Sequence, residues 1–401
     1  MSIRENGPRI VDAAAPAIVV VGFDRPVELA RLLRSLSCGS YPDGEAVPLI
    51  ISLDGGGSTA VRALADAFEW PHGPLRVIAH ESQLGLREHI LACGDLSLEY
   101  GSVIVLEDDL FVAPAFYDFA AKALNFYAND EKIAGIALYA PDFNEFARLR
   151  FIPLDDGSDS YFAQHPCSWG QAWSAAQWSG FRDWYDRQIF TDEAVSSMPG
   201  EVPAAVAGWP SSSWKKYYLH YLVESGCTFV YPRASLSTNF GARGTHFPHP
   251  RADFQVPLLA PLPRARSWSF AKRSEARCLY DPHFELEAAC LSAMNPGLAE
   301  YDFECDFSGA RDPARSTAEY WLSCRPCSDP QLGFDLQLVP CELNAAWKLS
   351  GDFFTLGKRQ DFGRLGRRRR ARLFQHLHKD AGIALYGSLA LEGLRARLGR
   401  R

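Results

Sequence analysis

The first 140 residues alternate between short apolar runs and amphipathic stretches, and this alternation limits the fold more than any other feature. The apolar runs read AIVVVGF, PLIISLD, LRVIAH, SVIVLE and KIAGIALYA, and they predict five strands. The stretches between them predict helices over residues 27–36, 58–68, 86–100 and 113–127. Continuously apolar strands that alternate with helices indicate an α/β fold with a mainly parallel sheet covered on both faces.

Polar residues follow four of these strands at the point where each strand ends. They are Gly22 to Arg25, Asp54 to Gly57, His80 with Glu81, and Glu107 to Asp109. The carboxyl ends of parallel strands meet at one edge of a sheet, and ligands collect there. We therefore expect these residues to surround a binding site.

Three consecutive carboxylates, Glu107, Asp108 and Asp109, end the fourth strand. Like charges repel, so one interpretation is a solvated acidic turn. The other is a site for a hard divalent cation, since Mn²⁺ or Mg²⁺ prefers carboxylate oxygens and can also hold a phosphate.

The turn after the first strand, GFDRPVEL, lacks the G-x-G-x-x-G pattern of dinucleotide-binding folds, and the chain contains no G-x-x-x-x-G-K-[ST] phosphate loop. These absences argue against a dinucleotide cofactor and against P-loop chemistry. The remaining interpretation is a nucleotide site in which a metal on the acidic triplet holds the phosphates. Sugar-nucleotide transferases bind their donors in this way.

The net charge of −7 hides an asymmetry along the chain. Residues 358–401 hold 13 Lys and Arg against three Asp and Glu, whereas the other 357 residues hold 28 against 45, giving +10 and −17. An acidic body argues against nucleic acid as a partner. No apolar run approaches the roughly 18 residues of a membrane span, and the beginning of the chain lacks a cleavable signal pattern, so we expect a cytoplasmic protein.

Several longer segments carry a family resemblance. The most specific is the acidic segment VIVLEDDLFVAPAFYDFA, and the others, in chain order, are VVVGFDRPVELARLLRSL, IISLDGG, LGLREHILACGDL, CSWGQAWSAAQWSGFRDWYD and YPRASLSTNFGARGTHF. Together they resemble the N-acetylglucosaminyltransferase I type of glycosyltransferase and its bacterial relatives. The resemblance implies a Rossmann-like GT-A domain over residues 17–250, after an extension over 1–16. A smaller accessory region with β structure would occupy 251–357, and a basic helical tail 358–401.

The resemblance also implies roles for individual residues. Asp109 would be the direct metal ligand, with Glu107 and Asp108 contacting the ribose and the sugar. Nucleotide contacts would come from Arg25, Asp54, Arg87 and His89. Each has a plainer alternative: Asp54 as a turn former, the arginines as surface residues, and His89 as a structural histidine.

The acceptor hydroxyl must lose a proton, which calls for a general base. Relatives carry an aspartate near a tryptophan, but the corresponding GWPSSSWKKYY has Ser212, Ser213 and Lys215 instead. Asp183 and Asp186 are the candidate substitutes, with solvated surface groups as the alternative. Lys215 could instead hold an anionic acceptor such as a lipid-linked phosphate.

The segment CSWGQAWS places Gly170 beside Trp169, and an aromatic face next to open space can stack on a sugar ring. We predict that these two residues bind the acceptor, with a packed core corner as the alternative. Thr245 and His246 are candidates for a loop that closes over the diphosphate. In the tail, Leu373, Phe374 and Leu377 recur at helical spacing beside arginines, which suggests contact with an anionic membrane surface; a solvated or partner-bound tail is the alternative.

The sequence therefore predicts a metal-dependent glycosyltransferase that moves a sugar from a nucleotide-diphosphate donor, such as a UDP-sugar, to a glycan or lipid-linked hydroxyl acceptor. Bacterial surface polysaccharide or glycolipid synthesis is the expected setting. Two alternatives remain: a sugar-1-phosphate nucleotidyltransferase, and a sugar-nucleotide-binding protein without a catalytic base.

Overall fold

A computed structural model describes residues 15–188, 201–241, 254–261 and 266–378. The chain divides into two compact units. The first unit is formed by residues 1–141 and 155–284, and the second by 142–154 and 285–401.

The first unit is built around a nine-stranded, mainly parallel sheet. In spatial order its strands are β13 (Leu279–Tyr280), β9 (Ser160–Ala163), β11 (Thr228–Pro232), β6 (Ile133–Ala137), β10 (Gln171–Ser174), β4 (Ser102–Glu107), β1 (Ala17–Gly22), β2 (Leu49–Leu53) and β3 (Leu75–Ala79). Strands β4, β1, β2 and β3 are mutually parallel, whereas β10 runs antiparallel to β4 and β6. A short second sheet pairs β5 (Leu110–Val112) with β12 (Ser237–Asn239).

The helices of the first unit follow the predicted alternation. They are α1 (Pro26–Ser37), α2 (Thr59–Asp66), α3 (Leu86–Asp95), α4 (Ser97–Tyr100), α5 (Phe116–Phe126), α6 (Ala175–Asp186) and α7 (Trp214–Ser225). The single helix predicted over 86–100 is divided into α3 and α4 at Leu96. Local sequence explains the starts of α1 and α6: Pro26 fixes the first turn of α1, and Ser174 with Gln177 forms a capping box.

The core of the first unit lies on both faces of the sheet. Strands β1, β2 and β6 are buried along their whole length, as their continuous apolar sequence predicts. Beside β10, an aromatic cluster joins the strand to α6 and α7, with Phe181 and Tyr218 stacked at 4.2 Å between ring centroids. This packing anchors α7, which carries Lys215 near its first residue.

The second unit contains a four-stranded sheet in the order β14 (Phe303–Asp306), β15 (Tyr320–Ser323), β17 (Phe354–Lys358) and β16 (Pro330–Phe334). It also contains the hairpin of β7 (Phe143–Asn144) with β8 (Leu149–Arg150), and the helices α8 (Ala288–Met294), α9 (Glu342–Ala346) and α10 (Arg367–His378).

Helix α10 corrects part of the prediction for the basic tail. Leu373 and Leu377 are only 1% and 7% exposed, so two of the three apolar side chains expected on a membrane surface are buried instead. Arg369 donates to the carbonyls of Asp352 and Phe353, which fixes the helix on its own unit. Arg364, Arg367 and Arg368 are exposed. Within the described residues, no helix has the length and apolar character needed to cross a membrane.

Candidate active site

The acidic triplet lies at the carboxyl edge of the large sheet, as the sequence predicts. Val103 to Leu106 of β4 are fully buried, and the chain then turns at Asp108 and Asp109 into β5. The register pairs Glu107 with Val21 near the end of β1. The amide of Phe240 donates to the Asp109 carbonyl at 3.3 Å, so the strand next to β5 also holds the turn.

Arg25 lies directly on two of the three carboxylates. It comes from the turn between β1 and α1, its Nη1 donates to Asp109 Oδ2 at 3.1 Å, and its Nη2 donates to Asp108 Oδ1. Burial lowers the pKa of Arg25, but the charges of Asp108 and Asp109 outweigh it and hold the pKa above its ordinary value. The guanidinium therefore stays charged and offsets part of the repulsion within the triplet.

Two carboxyl groups of the triplet, those of Glu107 and Asp108, sit in an environment that disfavours their charge. Burial raises the pKa of Asp108 to about 7, although Arg25 acts in the opposite direction. Burial, and then the charge of Asp109, also raises the pKa of Glu107, while the cations of Arg25 and Lys215 lower it. Three carboxylates therefore face the two cations Arg25 and Lys215, and with all five groups charged an additional cation would offset the remaining negative charge.

Asp109 provides the oxygen that such a cation would need. Its Oδ1 is buried and has no hydrogen-bond partner among the described residues, while Oδ2 is engaged with Arg25. No group of three acidic, histidine or cysteine side chains within the described residues could hold a metal by itself. Mg²⁺ is usually bound by one or two carboxylates together with substrate phosphates and waters, so a lone free carboxylate oxygen fits a metal that arrives with a diphosphate.

Asp54 organises the loops that follow β2 and β3. Its Oδ1 accepts from the amides of Gly55 and Leu84, at 2.9 and 2.7 Å, and its Oδ2 accepts from the amide of Gly85 at 3.0 Å. A Cβ on Gly55 would lie 2.2 Å from the backbone of Ser82, so glycine is required for this approach. Both oxygens of Asp54 thus accept hydrogen bonds from backbone amides, which agrees with the turn-former alternative. Its contact with the nucleotide stays a prediction.

Arg87 and His89 both lie on α3 but have different surroundings. Arg87 Nη1 donates to the Ser211 carbonyl at 3.0 Å and to the Tyr217 hydroxyl at 3.1 Å, which joins α3 to α7 and to the segment before it. His89 is 2% exposed, and its Nε2 lies 2.8 Å from Ser52 Oγ in the interior. The structure places His89 in the core. The nucleotide contacts of Arg87 and His89 stay predictions.

A second group of residues, formed by Trp169, Trp209 and Lys215, lies near the triplet. Lys215 Nζ is 5.1 Å from the ring centroid of Trp209 and 5.5 Å from that of Trp169, which are cation–π distances, and its charge acts on Glu107. Trp169 also contacts Tyr139 and Phe254, each at 4.7 Å between centroids.

Gly170 has a backbone conformation that depends on glycine. Its φ is +93°, and an added Cβ would lie 3.2 to 3.3 Å from Ser237, Leu106 and Leu138. Trp169 and Gly170, the two residues predicted to bind the acceptor, therefore form a tightly packed corner. The Trp169 indole is half-buried and lies beside Lys215.

Asp183 and Asp186 lie on the exposed surface of α6. Asp186 is 3.6 Å from Arg182 Nη1, and the charge of Asp183 helps to raise the pKa of Tyr221, after the larger effect of burial. In the parts of the chain that the structure describes, no hydrogen bond or ion pair joins either aspartate to the triplet. Their role as base stays a prediction. Thr245 and His246 lie outside the described residues.

Two residues near the site were not identified from the sequence. Glu28, in the first turn of α1, is close enough to Asp108 for its charge to raise the pKa of that carboxyl, behind burial and the charge of Asp109. Trp209 lies in a loop and has no periodic pattern; only its position six residues before Lys215 in GWPSSSWKK could have suggested it.

No protein-family model matches the chain, and no curated protein sequence does. Among solved structures it is similar to GalNAc-T7 with UDP, GalNAc and Mn²⁺, at 13% identity and a TM-score of 0.38, over 55% of this chain and 43% of that chain. It is also similar to S. aureus TarS 1–349 in complex with UDP-GlcNAc, at 12% identity and a TM-score of 0.38, over 58% and 60%.

A third similar structure is the mannosyltransferase PcManGT from Pyrobaculum calidifontis with GDP-Man and Mn²⁺, at 12% identity and a TM-score of 0.28, over 41% of this chain and 46% of that chain. The chain spans less than two thirds of each of these three proteins. At these identities and TM-scores, the function has to be argued from the chain's own site.

The pKa of His89 gives a test of its position in the core. Burial lowers the pKa of His89 to about 4, with Asp54 raising it and His80 lowering it to smaller extents. Because the folded pKa lies below the unfolded value of about 6.5, the unfolded chain takes up the proton first. Stability is therefore lost as the pH falls from about 6.5 toward 4. We expect His89→Gln to reduce the loss of unfolding free energy between about pH 7.5 and about pH 5 by about 2 kcal/mol.

Urea denaturation at both pH values measures this difference. Ser52→Ala is the control, because it removes the hydrogen bond but keeps the buried imidazole, and it should retain the pH dependence of the parent protein. An identical pH dependence in His89→Gln and the parent would contradict the assignment.

Proposed function

We propose that the first unit is a GT-A type glycosyltransferase that moves a sugar from a nucleotide-diphosphate donor, taken to be a UDP-sugar, to a hydroxyl acceptor. The observation that carries the proposal is the buried, unpartnered Oδ1 of Asp109 at the carboxyl end of a central parallel strand. A metal–diphosphate complex supplies what that oxygen lacks, in a sheet whose loops have no glycine-rich phosphate-binding sequence.

The donor side of the site uses the triplet and Arg25. Asp109 would hold Mn²⁺ or Mg²⁺, and the bound metal would stabilise negative charge on the departing diphosphate. Arg25 would face the diphosphate, since a guanidinium matches phosphate oxygens in charge and geometry. Glu107 and Asp108 would accept hydrogen bonds from the ribose and the sugar.

The acceptor side uses the second group of residues. The half-buried indoles of Trp169 and Trp209 offer apolar faces to a sugar ring. Gly170 would contribute through its backbone, since a side chain there would run into Ser237, Leu106 and Leu138. Lys215 carries a positive charge at this place, which favours an acceptor with a phosphate group, such as a lipid-linked glycan.

An exposed basic surface supports a location at the inner face of a bacterial membrane, where surface polysaccharides or glycolipids would be assembled. Arg364 lies just before α10 and Arg367 and Arg368 in its first turn, all three exposed, and the buried leucines of that helix leave charge as the means of attachment.

Two other functions make different predictions for one experiment. A nucleotidyltransferase would form a nucleotide sugar from a sugar phosphate and a nucleoside triphosphate, with release of pyrophosphate. A binding protein would retain nucleotide sugars without turnover, and the absence of an acid from Trp209 to Lys215 is the feature that favours it. Incubation with a panel of nucleotide sugars and acceptors, with and without Mn²⁺, separates all three by their products.

For the metal ligand, we expect Asp109→Asn to remove most turnover and to weaken Mn²⁺-dependent UDP binding by at least about tenfold, because it deletes a charged oxygen ligand and keeps the shape. Calorimetry of UDP binding with and without Mn²⁺ is the measurement. Asp43→Asn, an exposed acid in the loop before β2 and away from the carboxyl edge, is the matched control and should bind like the parent. Parent-like affinity and rate in Asp109→Asn would favour the solvated-turn interpretation.

For the general base, we expect one of the two variants Asp183→Asn and Asp186→Asn to lower turnover by roughly 10²- to 10⁴-fold with little change in donor affinity. The other variant should turn over like the parent. Steady-state kinetics on both variants checks this. Near-normal transfer in both would exclude these aspartates. Lys215→Asp then tests the alternative, since a rise in activity would indicate that a family-like base position can be restored.

For membrane attachment, we expect simultaneous Gln substitution of Arg364, Arg367 and Arg368 to weaken association with anionic vesicles by about 100-fold, since each basic residue near such a surface contributes about 1 kcal/mol. Sedimentation with vesicles at low and high salt measures it. A control with equal loss of charge changes three exposed arginines elsewhere, Arg34, Arg187 and Arg277. Equal weakening in both variants would rule out a specific basic surface.

A further inference from the structure

Arg25 occupies a position that a metal on Asp109 would have to share. The two terminal nitrogens of Arg25 bind different carboxylates, and the one on Asp109 takes Oδ2 while Oδ1 stays unpartnered within the described residues. The arginine side chain is 24% exposed, and the Asp108 side chain is 4% exposed. The guanidinium therefore lies on the open side of a buried acid.

A divalent cation on Oδ1 would consequently share one carboxylate with a guanidinium. The cation and the guanidinium would then sit on the two oxygens of one carboxylate, and two positive charges that close repel strongly where water is partly excluded. Arg25 also neutralises part of the negative charge that would attract the cation. In the free protein, the arginine thus opposes the metal even though the oxygen ligand is present.

A diphosphate removes this conflict. Its negative oxygens can accept from a guanidinium and bind a metal at the same time, so both cations gain a shared partner. Arg25 is suited to the exchange because it is anchored at its backbone, where its carbonyl accepts from Leu29 at 3.0 Å in the first turn of α1, while its tip reaches the site.

We propose that Arg25 is a positioning residue that makes metal binding conditional on the nucleotide, by passing from the carboxylates to the diphosphate when the donor arrives. The idea rests on the proposed donor site. Thermodynamic linkage makes it measurable: if UDP raises the affinity for Mn²⁺, then Mn²⁺ raises the affinity for UDP by the same factor, and Arg25 determines that factor.

The test compares Mn²⁺ binding by the parent protein and Arg25→Gln, first with Mn²⁺ alone and then with saturating UDP. Without nucleotide, Arg25→Gln should bind Mn²⁺ about tenfold more tightly, because a competing cation is gone. The factor by which UDP improves Mn²⁺ binding should fall in this variant. A purely structural role for Arg25 would predict weaker Mn²⁺ binding in both conditions.

Three controls keep the result interpretable. Arg25→Lys keeps the charge and should resemble the parent for Mn²⁺ alone, and Arg34→Gln, an exposed arginine on α1, should change nothing. If loss of the ion pair unfolds Arg25→Gln, the pair Asp108→Asn and Arg25→Gln/Asp108→Asn gives the same comparison without an unpaired Asp108 carboxylate, which is the more buried partner of Arg25. The double variant should bind Mn²⁺ more tightly than Asp108→Asn.

Unchanged or weaker Mn²⁺ binding in Arg25→Gln, or equal tightening in Arg34→Gln, would overturn the inference. Failure of the proposed function looks different. A parent protein that binds no UDP or UDP-sugar with Mn²⁺ present refutes the donor site, whereas the comparison with Mn²⁺ alone still reports whether Arg25 opposes the cation.

Discussion

The first unit depends on how three adjacent carboxylates are kept together at the end of one buried strand. Strand β4 directs Glu107, Asp108 and Asp109 to the edge of the sheet, and Arg25 from the neighbouring strand end compensates part of their charge. The parallel register of β1 and β4 brings the arginine and the acids to the same place. Without that pairing, the buried charge of the acids would be costly, and the edge would be less stable.

Much of the architecture was predictable because it depends on local pattern. Continuous apolar runs predicted β1 to β4 and β6, and the parallel sheet then required the polar strand ends to meet at one edge, as they do. The division between α3 and α4 was not predicted, since the apolar pattern runs through Leu96. The triplet and Arg25 follow from the same reasoning, because each lies directly after a strand.

The rest of the site depends on contacts between distant parts of the chain, which no local pattern records. Lys215 meets Trp169 from a distant part of the sequence and also contacts Trp209, and Glu28 acts on Asp108 from another element. Burial is similarly hidden: the spacing of Leu373 and Leu377 predicts one apolar helix face, but only the folded second unit determines that the protein itself covers it. The identity of the general base likewise depends on which acid the folded chain brings to the acceptor, and local sequence does not record this.

Strand β10 has a further consequence, because it runs against its neighbours. Its first residue, Gln171, pairs with Val105 near the end of β4, so the preceding residues arrive at the carboxyl edge directly from a loop. The segment that carries Trp169 is thus joined to the turn that carries Arg25 through two strand pairings, β10 with β4 and β4 with β1. Because backbone hydrogen bonds hold both pairings, side chains in the loop before β10 can change without altering the register that places Arg25 beside the triplet.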